Sequence, residues 1–151
     1  MRRLIIVTVL VALTAVSPAA AITNGTPDGQ RHPNVGGLVS DTQYPDGTWL
    51  YCSGTLIAPT VFLTAAHCAD DGQQVGVTFD TAYEDGDKVY SGTFEADPLY
   101  SQVQSDPHDI AVVIFDKPVR GITPAALPTA GSLSNLSSTQ EFTPVGYGAY
   151  E

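Results

Sequence analysis

The sequence predicts an all-β fold, and two observations support that prediction. Short apolar runs rich in β-branched and aromatic residues recur along the chain, separated by Gly, Pro, Asn and Asp. No window holds the 3.6-residue apolar period that is typical of an amphipathic helix. Short strands in this number, with turn residues between them, indicate a small barrel or a sandwich.

The predicted strands follow one another over residues 35–40, 49–57, 61–64, 75–79, 89–94 and 110–115, and a seventh is predicted over 142–147. Turns are predicted at 44–47, 70–72 and 84–87, because Pro, Asp and Gly in these stretches tolerate turn dihedrals. The chain holds no repeat and no low-complexity tract. It therefore reads as one continuous globular piece after its first 21 residues.

Residues 1–21 predict a secretory signal peptide. Arg2 and Arg3 precede an apolar stretch over residues 4–16, and the alanines at 19–21 supply a small-residue cleavage site. The stretch is shorter than the roughly 20 apolar residues that a membrane-spanning helix needs. We therefore expect a cleaved leader, a secreted protein and Ile22 as the mature N-terminus.

The charge of the mature chain excludes two classes of partner. After residue 21, four basic residues stand against sixteen acidic ones, which gives a net charge of −12. Such a surface repels nucleic acid and anionic lipid, because binding to either depends on Lys and Arg. We expect no nucleic-acid partner, and no membrane partner once the leader is cleaved.

The two cysteines, Cys52 and Cys68, bracket the segment that carries His67. Export to an oxidising compartment favours a disulfide between them over metal ligation. Closing a loop of this length stabilises a fold by about 3 kcal/mol in the chain-entropy model.

His67 and Asp109 are the candidate catalytic residues. His67 ends the run Val61-Phe62-Leu63-Thr64-Ala65-Ala66, and Asp109 stands immediately before the most apolar predicted strand. A partly buried carboxylate needs a donor, and an imidazole N–H is a suitable one. In nucleophilic catalysis a base is oriented by such a third group, although each residue alone also fits a purely structural role.

Four ordered motifs closely resemble the trypsin/chymotrypsin-like family of serine endopeptidases: Cys-Ser-Gly-Thr-Leu-Ile at 52–57, Leu-Thr-Ala-Ala-His-Cys at 63–68, Asp-Ile-Ala-Val-Val at 109–113 and Val-Gly-Tyr-Gly at 145–148. The resemblance implies a six-stranded antiparallel barrel over 22–130, the first of two, with a linker and the start of the second barrel over 131–151. It further implies that His67 is the general base, that Asp109 orients it, and that Ile22 begins a degenerate form of the activated N-terminus. Protein or peptide substrates follow from the same resemblance.

The departure from that family concerns the nucleophile. The sequence holds no Gly-Asp-Ser-Gly-Gly motif, and no serine is flanked by the glycines of a nucleophile turn. We expect a truncated portion of a secreted serine endopeptidase that is inactive alone. The alternative is a non-catalytic secreted binding module built from one barrel.

No cofactor is expected. The acidic residues Asp80, Glu84, Asp85 and Asp87 could offer oxygens to a structural calcium ion, as a loop in some family members does. They fit no defined calcium motif, so a solvated acidic hairpin is the alternative.

Overall fold

The structure is a computed structural model that describes residues 25–103 and 105–147. Its strands are β1 (Val35–Val39), β2 (Leu50–Ala58), β3 (Val61–Thr64), β4 (Gln74–Thr78), β5 (Tyr90–Ala96) and β6 (Ala111–Phe115). They close into one antiparallel barrel in the order β1-β2-β3-β6-β5-β4. The all-β prediction is confirmed, and of the two architectures left open the molecule adopts the barrel.

The register of β3 against β6 decides which residues meet at one end of the barrel. Thr64 is opposite Ala111 and Val61 is opposite Ile114 in this antiparallel pair. The chain leaving β3 and the chain entering β6 are therefore neighbours. On the other side of β6, Ala96 of β5 is also opposite Ala111, so the loop that follows β5 starts at the same end.

The barrel interior is filled by large apolar side chains that the strands contribute in alternation. The fully buried ones are Leu38, Leu56, Phe62, Val77, Phe94 and Val113. The ring of Phe62 packs against Phe79 and Phe115 at centroid distances of 5.9 and 6.2 Å. A Cβ at Gly54 would stand 2.4 Å from both this ring and the Leu63 carbonyl oxygen, so the strand has a glycine there because no other residue fits.

Six of the predicted strands lie within two residues of the observed bounds, but the predicted seventh is wrong for residues 142–147, which form no strand. A closed barrel has no free edge on which a further strand could pair. The segment contacts the barrel by two hydrogen bonds instead, each of which joins a side chain to a backbone group. The Tyr147 N–H donates to Ser53 Oγ at 2.8 Å, and the Tyr147 hydroxyl donates to the Asp80 carbonyl oxygen at 3.0 Å.

The chain after β6 stays close to the barrel before it reaches Tyr147. The N–H groups of Val119 and Ala125 donate to the carbonyl oxygens of Pro59 and Leu56, at 2.7 and 2.8 Å. The division of the chain at residues 21 and 130 stays a prediction. In the part that the structure describes, we find no helix with the length and apolarity to cross a bilayer.

Candidate active site

His67 lies on a single 3-10 turn, η1 (Ala66–Cys68), just after the strand that was predicted over residues 61–64. Strand β3 ends at Thr64, and the Cys68 N–H donates to the Ala65 carbonyl oxygen at 3.3 Å to close the turn. Ala66 is buried, whereas the His67 side chain is 59% exposed. The turn is therefore anchored in the core by Ala66 and presents the imidazole of His67 to solvent.

A disulfide between Cys52 and Cys68 secures the far side of this turn, as predicted. The two Cα atoms are 6.1 Å apart, a separation that a disulfide spans without strain in the backbone. The Thr64 hydroxyl adds a second link, because it donates to the Ser53 carbonyl oxygen at 3.0 Å. Strand β2 therefore holds the His67 segment at both ends.

Asp109 reaches His67 through two hydrogen bonds, one to each of its carboxylate oxygens. The His67 backbone N–H donates to Oδ1 at 2.9 Å, and His67 Nδ1 lies 2.8 Å from Oδ2. Both hydrogen bonds hold the pKa of Asp109 below its usual range, and the one from the imidazole ring has the larger effect. An ionised carboxylate can only accept, so the proton of the neutral imidazole belongs on Nδ1. Nε2 is then the basic nitrogen, as a general base requires.

An open cleft begins at His67 and runs between the segment after η1 and the segment after β5. Three carboxylates, those of Asp70, Asp71 and Asp97, are among its lining residues, and no Lys or Arg is among the described residues that line it. The Leu99 N–H and then the His108 side chain lower the pKa of Asp97. The surface beside the imidazole is therefore anionic at neutral pH.

A second His–Asp pair lies next to the first, and the sequence reasoning missed it. His108 is half-buried, and its Nδ1 lies 3.3 Å from Asp97 Oδ2. Asp97 directly follows β5, and His108 closely precedes β6. Knowledge that β5 pairs with β6 would have placed these two residues near each other and so predicted this contact.

The potential metal ligands do not assemble into a metal site in residues 25–103 and 105–147. One group of three, Cys52, His67 and Cys68, has its ligand atoms within 4.8 Å of one another. Its two sulfurs are bonded to each other, so they cannot act as thiolate ligands. In the acidic hairpin, Asp87 accepts from the Glu84 N–H at 2.9 Å, and structural calcium there stays a prediction.

Ile22 lies outside the described residues, so its role as the mature N-terminus also stays a prediction. The same holds for the leader over residues 1–21. The proposed motif at 145–148 is described only as far as Tyr147.

Comparison with solved structures agrees with this barrel architecture. A solved structure described as "Structure of GrC" superposes with a TM-score of 0.57 and 19% sequence identity, over 85% of this chain. The likeness establishes the barrel architecture. The match spans 61% of that other chain, so this chain corresponds to part of its length.

The family model for trypsin matches residues 26–151. The chain belongs to the trypsin family. By family, the chain is therefore assigned to the serine peptidases.

Proposed function

We propose that this chain supplies the base and the orienting acid of a secreted serine endopeptidase. The observation that carries the proposal is the paired contact of Asp109 with the ring and the backbone of His67. In the proposed reaction His67 Nε2 takes the proton of a serine hydroxyl as that oxygen attacks a peptide carbonyl. His67 then returns the proton to the leaving amine, while the Asp109 carboxylate stabilises the imidazolium.

The nucleophile is proposed to come from sequence other than these 151 residues. Two observations support this: the sequence holds no Gly-Asp-Ser-Gly-Gly motif, and no hydroxyl group in the described residues is hydrogen-bonded to His67 Nε2. Without a serine and the amides of an oxyanion hole, the pair has nothing to activate. The chain alone is therefore proposed to be inactive.

A non-catalytic binding module is the competing proposal, and the surface after β6 disfavours it. Several large apolar side chains there are exposed: Leu127 at 60%, Leu133 at 53% and Phe142 at 71%. A self-sufficient secreted module would have polar residues in such positions. Exposed apolar residues fit a segment that another part of a larger enzyme covers.

Chemical labelling tests whether the chain holds a nucleophile of its own. The purified chain should show no amidase turnover and no adduct with a serine-directed phosphonate. Labelling that His67→Ala abolishes would contradict the absence of a nucleophile.

The coding sequence downstream of codon 151 gives the complementary test. A polypeptide that continues into a Gly-Asp-Ser-Gly-Gly motif should be labelled. Its Asp109→Asn variant should lose on the order of 10⁴-fold in turnover, as expected for an acid that sets the tautomer of the base. Equal turnover by that variant would remove Asp109 from the mechanism.

A further inference from the structure

Loop 97–109, between β5 and β6, is organised around a carboxylate other than that of Asp109. Asp106 Oδ2 accepts from the Ser101 N–H at 2.8 Å and from the Ser101 hydroxyl at 2.5 Å. Its Oδ1 accepts from the His108 N–H at 2.9 Å. One side chain thus joins the outgoing and the returning arms of the loop.

The same residue contacts the backbone that determines where Asp109 points. The Asp109 N–H donates to the Asp106 carbonyl oxygen at 3.2 Å, and His108, whose N–H the Asp106 side chain holds, directly precedes Asp109. The carboxylate of Asp109 needs a defined direction because its two oxygens serve different donors of His67. Asp106 therefore restrains the backbone on the N-terminal side of Asp109.

The loop needs a group such as the Asp106 side chain to restrain it, because two of its residues adopt an uncommon backbone conformation. Gln102 has a φ of 62° and Ser105 a φ of 65°, and neither is a glycine. Residues with side chains occupy this left-handed region at a cost, which neighbouring contacts must offset. Hydrogen bonds to an ionised group are strong enough for that purpose.

The charge of Asp106 persists over the pH range in which a peptidase works. Hydrogen bonds from the Ser101 hydroxyl, the His108 N–H and the Ser101 N–H lower its pKa to about 2. The contacts that organise the loop are therefore charge-assisted at neutral pH.

We propose that Asp106 is a positioning residue, which holds Ser101 and His108 and thereby aims the Asp109 carboxylate at His67. The proposal rests on the proposed function, in which His67 is the base. Asp106 itself has no hydrogen bond to His67 among the described residues. Its effect on the base therefore passes through the backbone of Asp109.

The proton on His67 Nδ1 provides the readout. A proton shared with a carboxylate resonates at low field in NMR spectra, and the rate at which it exchanges with water reports on how firmly the Asp109 contact is held. In the purified chain we expect Asp106→Ala to increase its exchange rate by about tenfold, the scale of one lost hydrogen bond to an ionised group. Asp106→Asn keeps one accepting oxygen and should give an intermediate rate.

Asp46→Ala is the matched control, because the Asp46 carboxylate also accepts hydrogen bonds from a backbone N–H and a hydroxyl, both of Thr48, in the turn between β1 and β2. It should leave the Nδ1 proton unchanged. Should Asp106→Ala fail to fold, Ser101→Ala removes only the hydroxyl donor and should still raise the exchange rate by about two- to threefold.

Asp109→Asn separates the two proposals, since it should abolish the resonance whatever Asp106 does. If it does so while Asp106→Ala and Ser101→Ala leave the exchange rate unchanged, the positioning role is overturned and the His67–Asp109 pair stands. Equal effects of Asp106→Ala and Asp46→Ala would also overturn it, because they would indicate general loosening. If the resonance survives Asp109→Asn, the pair itself fails, and the positioning role fails with it.

Discussion

The two halves of the His67–Asp109 pair are held in place by different physical means. His67 stands on a turn between a half-buried strand and a disulfide, with Ala66 and Phe62 in the core beside it. Asp109 stands at the end of a partly exposed loop, whose shape depends on hydrogen bonds to the ionised side chain of Asp106. The base is placed by covalent and apolar contacts, and the acid by charge.

This difference predicts that the two residues lose their positions under different conditions. Apolar packing and a disulfide do not respond to protonation, whereas hydrogen bonds to carboxylates weaken when the carboxylates take up protons. Reduction should therefore affect the His67 side first, and acid should affect the Asp109 side first. Three experiments test this contrast.

The largest effect is expected from removing the disulfide. Cys52→Ser combined with Cys68→Ser should lower the free energy of unfolding by about 3 kcal/mol, because the unfolded chain regains the freedom that the closed loop had removed. Urea unfolding followed by tryptophan fluorescence measures the loss.

Reduced wild-type chain is the control for that double variant, and it should match its midpoint. The amide protons of Ser101 and His108 should stay protected in the double variant below its unfolding transition, since Asp106 still holds them. A loss smaller than about 1 kcal/mol would show that core packing alone holds the His67 turn.

Acid should loosen the loop selectively. The pKa of Asp106 is lowered from an ordinary 3.8 to about 2 in the folded chain. Its contribution to stability is therefore complete above pH 3.8 and is lost as the pH falls toward 2. The amide resonances of Ser101 and His108 should shift with a midpoint near pH 2, while those of β3 should not.

Asp106→Asn should remove that transition. Asp109 provides an internal comparison, because the pKa of its carboxyl group is also lowered, chiefly by the His67 ring. In His67→Ala it should rise toward its ordinary value. A Ser101 shift that persists in Asp106→Asn would assign the transition to another carboxylate.

Much of the scaffold could be predicted from the sequence, because it depends on patterns of residue type. The apolar runs gave strand bounds within two residues, and a chain with only two cysteines leaves one intramolecular pairing. The nearness of His67 and Asp109 was expected from ordered motifs. That expectation needed no detail of the loop between β5 and β6.

The loop itself was beyond prediction, for a physical reason. Two of its described residues, Gln102 and Ser105, are left-handed, and their types give no sequence signal for that conformation. The hydrogen bonds to the Asp106 side chain join positions that meet only when the loop has folded. The prediction of a seventh strand failed for the opposite reason, since residues 142–147 have a strand-like composition but the closed barrel left no edge for them.

The smallest effect is expected at the second pair, His108 and Asp97. Asp106 holds the backbone N–H of His108, whereas Asp97 contacts its ring at 3.3 Å with both side chains partly exposed. Such exposed pairs contribute little to stability. His108→Gln keeps the backbone N–H, so both its urea midpoint and the low-field His67 proton should match the wild type. Loss of that proton in His108→Gln would mean that the ring, and not only the backbone, supports Asp109, and the loop would then be held by two carboxylates rather than one.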